Sequence, residues 1–406
     1  MKRELIFEKR KKARSLHAKG WSCRKIARYL VAGVDSVRKW VKLNESELQT
    51  DQRGWEKGKL RKHEQTEATR IVKIRKDLEA ENSYFIGAKV VQKNYIHQFN
   101  ETVPLWFVNR VLQENNLVKS PTKKPKKRSR YMQYPEETLR KFGKTVMSAD
   151  FIGPKYLKGS DKRINFLSCK YLRPMQHGIV KRVEGQTTSE ALRVLKEVWQ
   201  HYPLPDAIKL DNDSAFGANL SHKESIGQLP IALLNLGVTP VYVAPRSPWN
   251  NGDVEGFNSI FSKKFWSKLK FNNEEELSVE IKKFNVEYEK YTNLVANNST
   301  LESPRYLDDV ESSKLNNRSV EGFGAQRIIF LRIVRRKGEK EGENERGFIE
   351  ILGREVELPK AYINLFTFCE LQVKEKRLRV KVEEPDGKLT QIKSVGYKLK
   401  NVKYEG

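Results

Sequence analysis

The sequence predicts a multidomain α/β protein: all-helical modules first, then a core of mixed strands and helices, then a small β-barrel. Three observations predict this order. At 406 residues the chain exceeds what one hydrophobic core usually holds, so about two to four domains are expected. Apolar residues recur at helical spacing up to about residue 117, mix strand-like and helical patterns from residue 144, and read mostly as strands after 325. Between the first two regions lies KSPTKKPKKRSR (119–130), with seven basic residues, two prolines and no acid, a composition that suits a tether rather than a core.

The first module spans 1–48. Trp21-Ser22 opens a segment with Ile26, Ala27 and Leu30 at helical spacing, and Ala32-Gly33 breaks it before Val34, Val37, Trp40 and Val41. The pattern resembles a helix-turn-helix, whose second helix enters the DNA major groove, and it leaves Arg38, Lys39 and Lys42 on the outer face. A small helical hairpin with a solvated basic face is the alternative. A second helical unit, 60–118, carries Ile71, Ile74 and Leu78, then Ile86, Val90 and Val91, then Leu105, Val108, Val111 and Leu112. Its last helix is expected to take Thr102 as cap, to hold Pro104 in its first turn, and to expose Asn109 and Arg110 to DNA. The basic linker, 119–138, adds Lys123, Lys124, Lys126, Lys127 and Arg128 as phosphate contacts.

The core spans 139–312. Strands are expected at 146–152, 164–172, 178–183, 207–210 and 238–244, and helices at 189–202, 226–236 and 254–269. The order β-β-β-α-β-α-β-α matches a ribonuclease-H-like fold. The last region, 322–406, has strands at 327–334, 347–352, 371–373 and 378–382 with a Pro-Asp-Gly turn at 385–387, and a small barrel is the expectation.

Lysine and arginine outnumber acids 78 to 51, a formal charge of +27, which predicts a polyanionic partner. Nucleic acid leads, because neutralising phosphates releases counterions, and an anionic membrane surface is the rival. No run of about 18 apolar residues and no secretory signal is found, so no membrane partner and a soluble, cytoplasmic protein are expected. Cys23, Cys169 and Cys369 stand too far apart in sequence for a dense disulfide framework or a paired-cysteine zinc motif.

Three acids carry the chemistry. Asp150 interrupts an apolar strand, where a lone carboxylate costs several kcal/mol unless it is paired or metal-bound. Asp211 follows the strand 207–210 at its carboxyl end, where α/β sheets present functional groups. Glu255 follows a loop marked by proline and glycine and opens a helix, about 145° from the apolar stripe of Phe257, Ile260, Phe261 and Phe265. Converging carboxylates repel one another, and divalent cations resolve the conflict. Magnesium suits oxygen ligands, with manganese able to substitute, and two ions about 3.5–4 Å apart activate an attacking water or 3′-hydroxyl and steady the leaving oxygen.

SADFIGP (148–154), KLDNDSAF (209–216) and APRSPWNNGDVEGFNSIF (244–261) resemble the three acidic blocks of the integrase core in bacterial insertion-sequence transposases and retroviral integrases, the DDE type. The resemblance covers roughly residues 140–310 and extends to the tandem helical units and the terminal barrel. It implies that Asp150, Asp211 and Glu255 bind the two magnesium ions and that the chain cleaves and joins DNA at element terminal repeats and target DNA. It further implies that the chain works as a dimer or tetramer on DNA, near the bacterial nucleoid. Arg246, Asn251, Lys263 and Lys264 flank the third block and are assigned to DNA contact. The histidines and cysteines lack the paired spacing of the retroviral zinc module, which favours a bacterial element. Three departures stand out: Asp213 replaces a usual glycine, Gly256 a usual arginine, and 43 residues separate Asp211 from Glu255, an insertion assigned to 217–228. Competing readings are a domesticated, inactive DNA-binding regulator and a general ribonuclease-H-type nuclease.

The charge alone makes one expectation. If about 6–10 phosphates are contacted, affinity for duplex DNA falls by about 10³-fold or more between roughly 50 and 200 mM salt. Fluorescence anisotropy across that range checks it, and a flat response sinks it.

Overall fold

The structure is a computed structural model that describes residues 2–48, 63, 65–118, 142–157, 159–218, 223–247, 251–296, 301–317, 319–320, 326–338, 346–384 and 387–403. The basic linker residues Lys123, Lys124, Lys126, Lys127 and Arg128 lie outside these ranges. Two compact units result, Met1–Glu67 and Ala68–Gly406. No helix among the described residues is long and apolar enough to cross a membrane.

The first unit contains α1 (Lys2–Ala18), α2 (Cys23–Leu30) and α3 (Val34–Val41). Ser22 accepts from the Lys25 amide and starts α2, and Val31 takes a left-handed conformation that ends it. Ala13, Leu16, Ile26, Ala27 and Val37 form the core, while Arg38, Lys39 and Lys42 are exposed.

The second unit opens with α4 (Gln65–Ala80), α5 (Ala88–Phe99) and α6 (Leu105–Glu114), packed around Ile71, Ile74, Val91, Tyr95, Val108 and Leu112. The start of α6 departs from expectation. Pro104 is itself the cap residue, with extended backbone, and no side chain caps the helix, Thr102 included. Proline's fixed φ serves the position just outside a helix as well as the first turn.

The core begins with β1 (Val146–Tyr156), β2 (Arg163–Arg173) and β3 (Gly178–Val183), an antiparallel meander. Then come α7 (Thr188–His201), β4 (Ala207–Leu210), α8 (Gln228–Asn235), β5 (Thr239–Tyr242), α9 (Gly252–Ile260) and α10 (Glu274–Val295). Thr187 accepts from the Glu190 amide to start α7, and Asn273 accepts from the Glu276 amide to start α10. β4 pairs in parallel with β1 and with β5. One face of the sheet packs Met147, Ala149, Leu167 and Cys169 against α7 and α8. The other packs Ile152, Ile164, Phe166 and Val180 against Phe257, Phe261, Phe265, Phe284 and Tyr288. Alternation along β1 and β2 separates the two layers.

The carboxyl-terminal strands are β6 (Arg327–Ile333), β7 (Arg335–Lys337), β8 (Arg346–Ile351), β9 (Arg354–Leu358), β10 (Phe366–Gln372), β11 (Arg377–Glu383) and β12 (Leu389–Gly396). A small barrel is expected, and the strands divide between two sheets. β6 hydrogen-bonds in parallel to β5, so the core sheet continues as β12-β11-β10-β6-β5-β4-β1-β2-β3, and β7-β8-β9 form a second sheet. Leaving β5 at the sheet edge would expose unpaired amides and carbonyls, which β6 satisfies.

The segment assigned as an insertion fastens these strands to the core. Glu224 donates its amide to the Leu352 carbonyl and accepts from the Lys400 amide (both 2.8 Å). Its carboxylate meets Arg354 at 3.1 Å and Lys400 at 3.2 Å. The base of the segment closes on two glycines: Gly217 sits at φ +78°, and a Cβ on Gly227 would meet the Gly217 Cα at 2.6 Å. Gly227→Ala is therefore expected to destabilise the protein by roughly 1–3 kcal/mol, seen as a lower midpoint in urea without a change in secondary structure.

Candidate active site

β1 and β4 pair in parallel with Ser148 opposite Lys209; Asp150 lies two residues further along β1, and Asp211 directly follows the end of β4, near enough for its charge to act on Asp150. Side chains two apart on a strand share a face, so Asp150 lies with Ser148 and Ile152 on the side covered by α9. That helix is tied down at two points. Before its first turn Asn251 is buried, and its Oδ1 accepts from the Ser148 hydroxyl at 2.9 Å. Near its end Asn258 Nδ2 donates to Asp150 Oδ2 at 2.8 Å. Glu255 lies between the two ties, one turn before Asn258, and is exposed while Val254 and Phe257 are buried.

The acids feel each other. Asp150 is pushed up from 3.8 to about 7, first by burial and then by the charges of Asp211 and Glu255. Asp211 is also raised by burial, although the Asp213 amide donates to its Oδ1 at 3.0 Å. Asp213 itself is exposed and accepts from the Ala215 amide at 2.8 Å, which is the behaviour of a turn acid.

This donor set fits a hard divalent cation: carboxylate oxygens, and the Asn258 Oδ1, which is buried with no hydrogen-bond partner among the described residues. Among the described residues no three His, Cys, Asp or Glu side chains form a compact metal cluster. Magnesium is normally held by only one or two carboxylates together with waters and substrate phosphates, so such a cluster is not a requirement.

The residues assigned to DNA divide. Arg246 and Lys263 are exposed, and Arg246 sits in the left-handed region. Asn251 is corrected: its side chain is turned inward onto Ser148 and belongs to the scaffold. Lys264 is half-buried and is lowered by burial and by the positive charges of Lys268 and Arg75. On α6, Asn109 donates to the Leu105 carbonyl and Arg110 to Glu114 at 2.8 Å, so both exposed side chains engage their own helix. On α3, Arg38 pairs with Asp35 at 3.0 Å.

Sequence reasoning missed several supporting groups. Asn212 beside Asp211 donates to the Val243 carbonyl and accepts from the buried Arg332 of β6 at 3.2 Å. An arginine in the apolar run Ile328 to Val334 was the available signal. Lys170 and Lys209, both buried on the face under α9, are each lowered to about 8 by burial, against the pull of Asp253. A lysine within β4, otherwise Ala207, Ile208 and Leu210, was the corresponding signal there.

No family model and no curated protein matches the chain. Among solved structures it is similar to a chain from the simian T-cell lymphotropic virus intasome in complex with PP2A regulatory subunit B56 gamma, at 13% identity over 79% of this chain and 95% of that one, with a TM-score of 0.30. It is similar to the Mos1 transposase paired-end complex with left transposon end at 12% identity, over 70% of this chain and 92% of that one, with a TM-score of 0.26. For the Mos1 strand transfer complex the figures are 12%, 73%, 98% and 0.24. Scores this low carry no weight for function, which rests on the residues themselves.

The raised carboxyl has a consequence in metal-free protein. Between 3.8 and about 7 the folded state keeps a proton on Asp150 that the unfolded chain has lost, so this group's contribution to stability falls as pH rises through that window. Thermal melts in chelator are expected to show that decline, and Asp150→Asn to remove it. A decline undiminished in the variant would refute the assignment.

Proposed function

We propose that this chain is a metal-dependent polynucleotidyl transferase of the DDE transposase and integrase type, which binds the ends of a mobile element and cleaves and transfers DNA strands. The observation that supports the reading is the half-buried Asp150, held by Asn258 of the helix that bears Glu255 and raised by burial and by the charges of Asp211 and Glu255. Structural convenience does not explain two half-buried acids side by side, because each raises the cost of ionising the other.

Asp150, Asp211 and Glu255 would hold two magnesium ions, with manganese able to substitute. Bound there, the ions supply activation of a water or 3′-hydroxyl and stabilisation of the leaving oxygen. The chain's own residues do the rest. Asn258 and the Asp213 amide orient the first two carboxylates, Asn251 anchors the helix of the third, and Arg246 and Lys263 offer charge to the phosphate backbone. In this reading 1–48 and 60–118 recognise terminal repeats, with Arg38, Lys39, Lys42, Asn109 and Arg110 toward DNA. The linker 119–138 tracks phosphates, 139–312 is a ribonuclease-H-like core, and 322–406 is a carboxyl-terminal β domain. Bringing two ends together calls for a dimer or tetramer in a bacterial nucleoid.

The rival is a domesticated regulator whose core no longer cuts. Magnesium-dependent nicking at the element ends separates the two. Each of Asp150→Asn, Asp211→Asn and Glu255→Gln should lower cleavage by about a thousandfold or more, since metal stabilisation is worth several kcal/mol and each 1.36 kcal/mol is a decade. Affinity for the same DNA should stay within a few-fold. Cleavage retained in all three variants would end the reading.

A further inference from the structure

Beside the carboxylates the sheet carries a second polar row, two residues earlier on β1 and β4. Lys170 of β2, Ser148 of β1 and Lys209 of β4 stand in register and are 8%, 0% and 1% exposed. A buried ammonium is costly, and an apolar residue of similar size in its place is often neutral or stabilising. A lysine kept there calls for a task.

The task of Lys170 is visible. Its Nζ donates to the Tyr288 hydroxyl at 3.0 Å and to the Gln176 carbonyl, and lies 4.9 Å from the centre of the Tyr288 ring. It braces β2 against α10. Lys209 serves another element: its Nζ is 3.9 Å from Asp253 Oδ2. Asp253 belongs to the first turn of α9, two residues before Glu255, and Asn251 just ahead of it is held by Ser148. Neighbours in one row of the sheet thus hold neighbours in one turn of the helix, Ser148 by a hydrogen bond and Lys209 by charge.

We propose that Lys209 is a positioning residue for Glu255: from beneath the helix it holds the first turn of α9 through Asp253, and so sets where the third carboxylate stands relative to Asp150 and Asp211. It touches no substrate. The catalytic consequence rests on the transferase reading, whereas the hold on the helix does not.

Hydrogen exchange on the metal-free full chain tests the hold directly. Lys209→Met keeps side-chain length and removes the charge. Exchange of the amides at 252–256 should speed up about fivefold, the worth of roughly one ion pair, while β4 stays protected and Tm is unchanged or higher. Asp253→Asn, at a side chain that is 57% exposed, should reproduce the effect, and the double variant should add little to either single one. In cleavage assays both variants should lower kcat by a similar factor and leave KM for DNA alone. Unchanged exchange at 252–256 overturns the proposal, and so does a drop in Tm with protection lost across the whole sheet, which would mark Lys209 as merely structural. If exchange responds but wild-type protein does not cut DNA under any divalent metal, the transferase reading fails and the positioning role stands.

Discussion

The parallel pairing of β1 with β4, which brings Asp150 near the turn that holds Asp211, is the constraint around which the rest of the second unit is arranged. The pairing of β1 with β4 is enforced by apolar side chains on its far face, Met147, Ala149 and Ile208 against α7 and α8. The acids have no say in it. Slipping the register by one residue would separate Asp150 from Asp211 but would also turn Met147 and Ala149 out of the core. Hydrophobic burial therefore holds together two groups that electrostatics would part. Burial first, and then the charges of Asp211 and Glu255, push the Asp150 carboxyl up to about 7.

The covering helix sits where it does for packing reasons that reach far from the acids. Phe257, Phe261 and Phe265 enter an aromatic cluster with Phe284 and Tyr288 of α10, and Tyr84 and Phe85, from the turn between α4 and α5, enter the same cluster. Glu287 accepts from the Tyr84 amide at 2.7 Å and from the Ser83 hydroxyl at 3.1 Å, and Glu280 accepts from the Tyr84 hydroxyl at 2.7 Å. The second helical module is thus seated on the helices that position Glu255. A load on α4–α6 has a packed route to the acidic site through side chains that are each nearly or wholly buried.

Much of this was legible in the sequence, for reasons that differ by element. β3 and β4 were readable to the residue because short apolar runs ended in clear breaks, at Gly178 and at Pro205 and Asp211. Asp150 and Asp211 announced themselves as polar residues where apolar ones belonged. Lys209 and Arg332 sent the same signal but are commonplace in a chain with 78 basic residues, and nothing local marks which of them will be buried. β9 and β12 were unreadable because β9 alternates Val356 and Leu358 with charged residues over only five positions, and β12 is mostly polar and half-exposed. Pairing partners, not composition, make them strands. The turning inward of Asn251 was equally hidden, since its partner Ser148 lies 103 residues away.

The long spacing between Asp211 and Glu255 looks, in sequence, like a threat to the site. In three dimensions it is spent on the opposite side of the problem. The extra chain leaves the sheet after the turn at 214–216, closes on itself where Gly227 donates to the Gly217 carbonyl, and places Glu224 between Leu352 and Lys400. Asn401 binds the Ile226 backbone at both its amide and its carbonyl. The chain then returns through α8 to β5, which receives β6, and β6 sends Arg332 to Asn212 beside Asp211. The insertion and the carboxyl-terminal strands therefore form a closed loop of contacts that begins and ends at the second acid. Cutting that loop anywhere would leave Asp211 at the end of a strand only four residues long with its turn unsupported, so the distance gained in sequence lends rigidity to the very position it seemed to endanger.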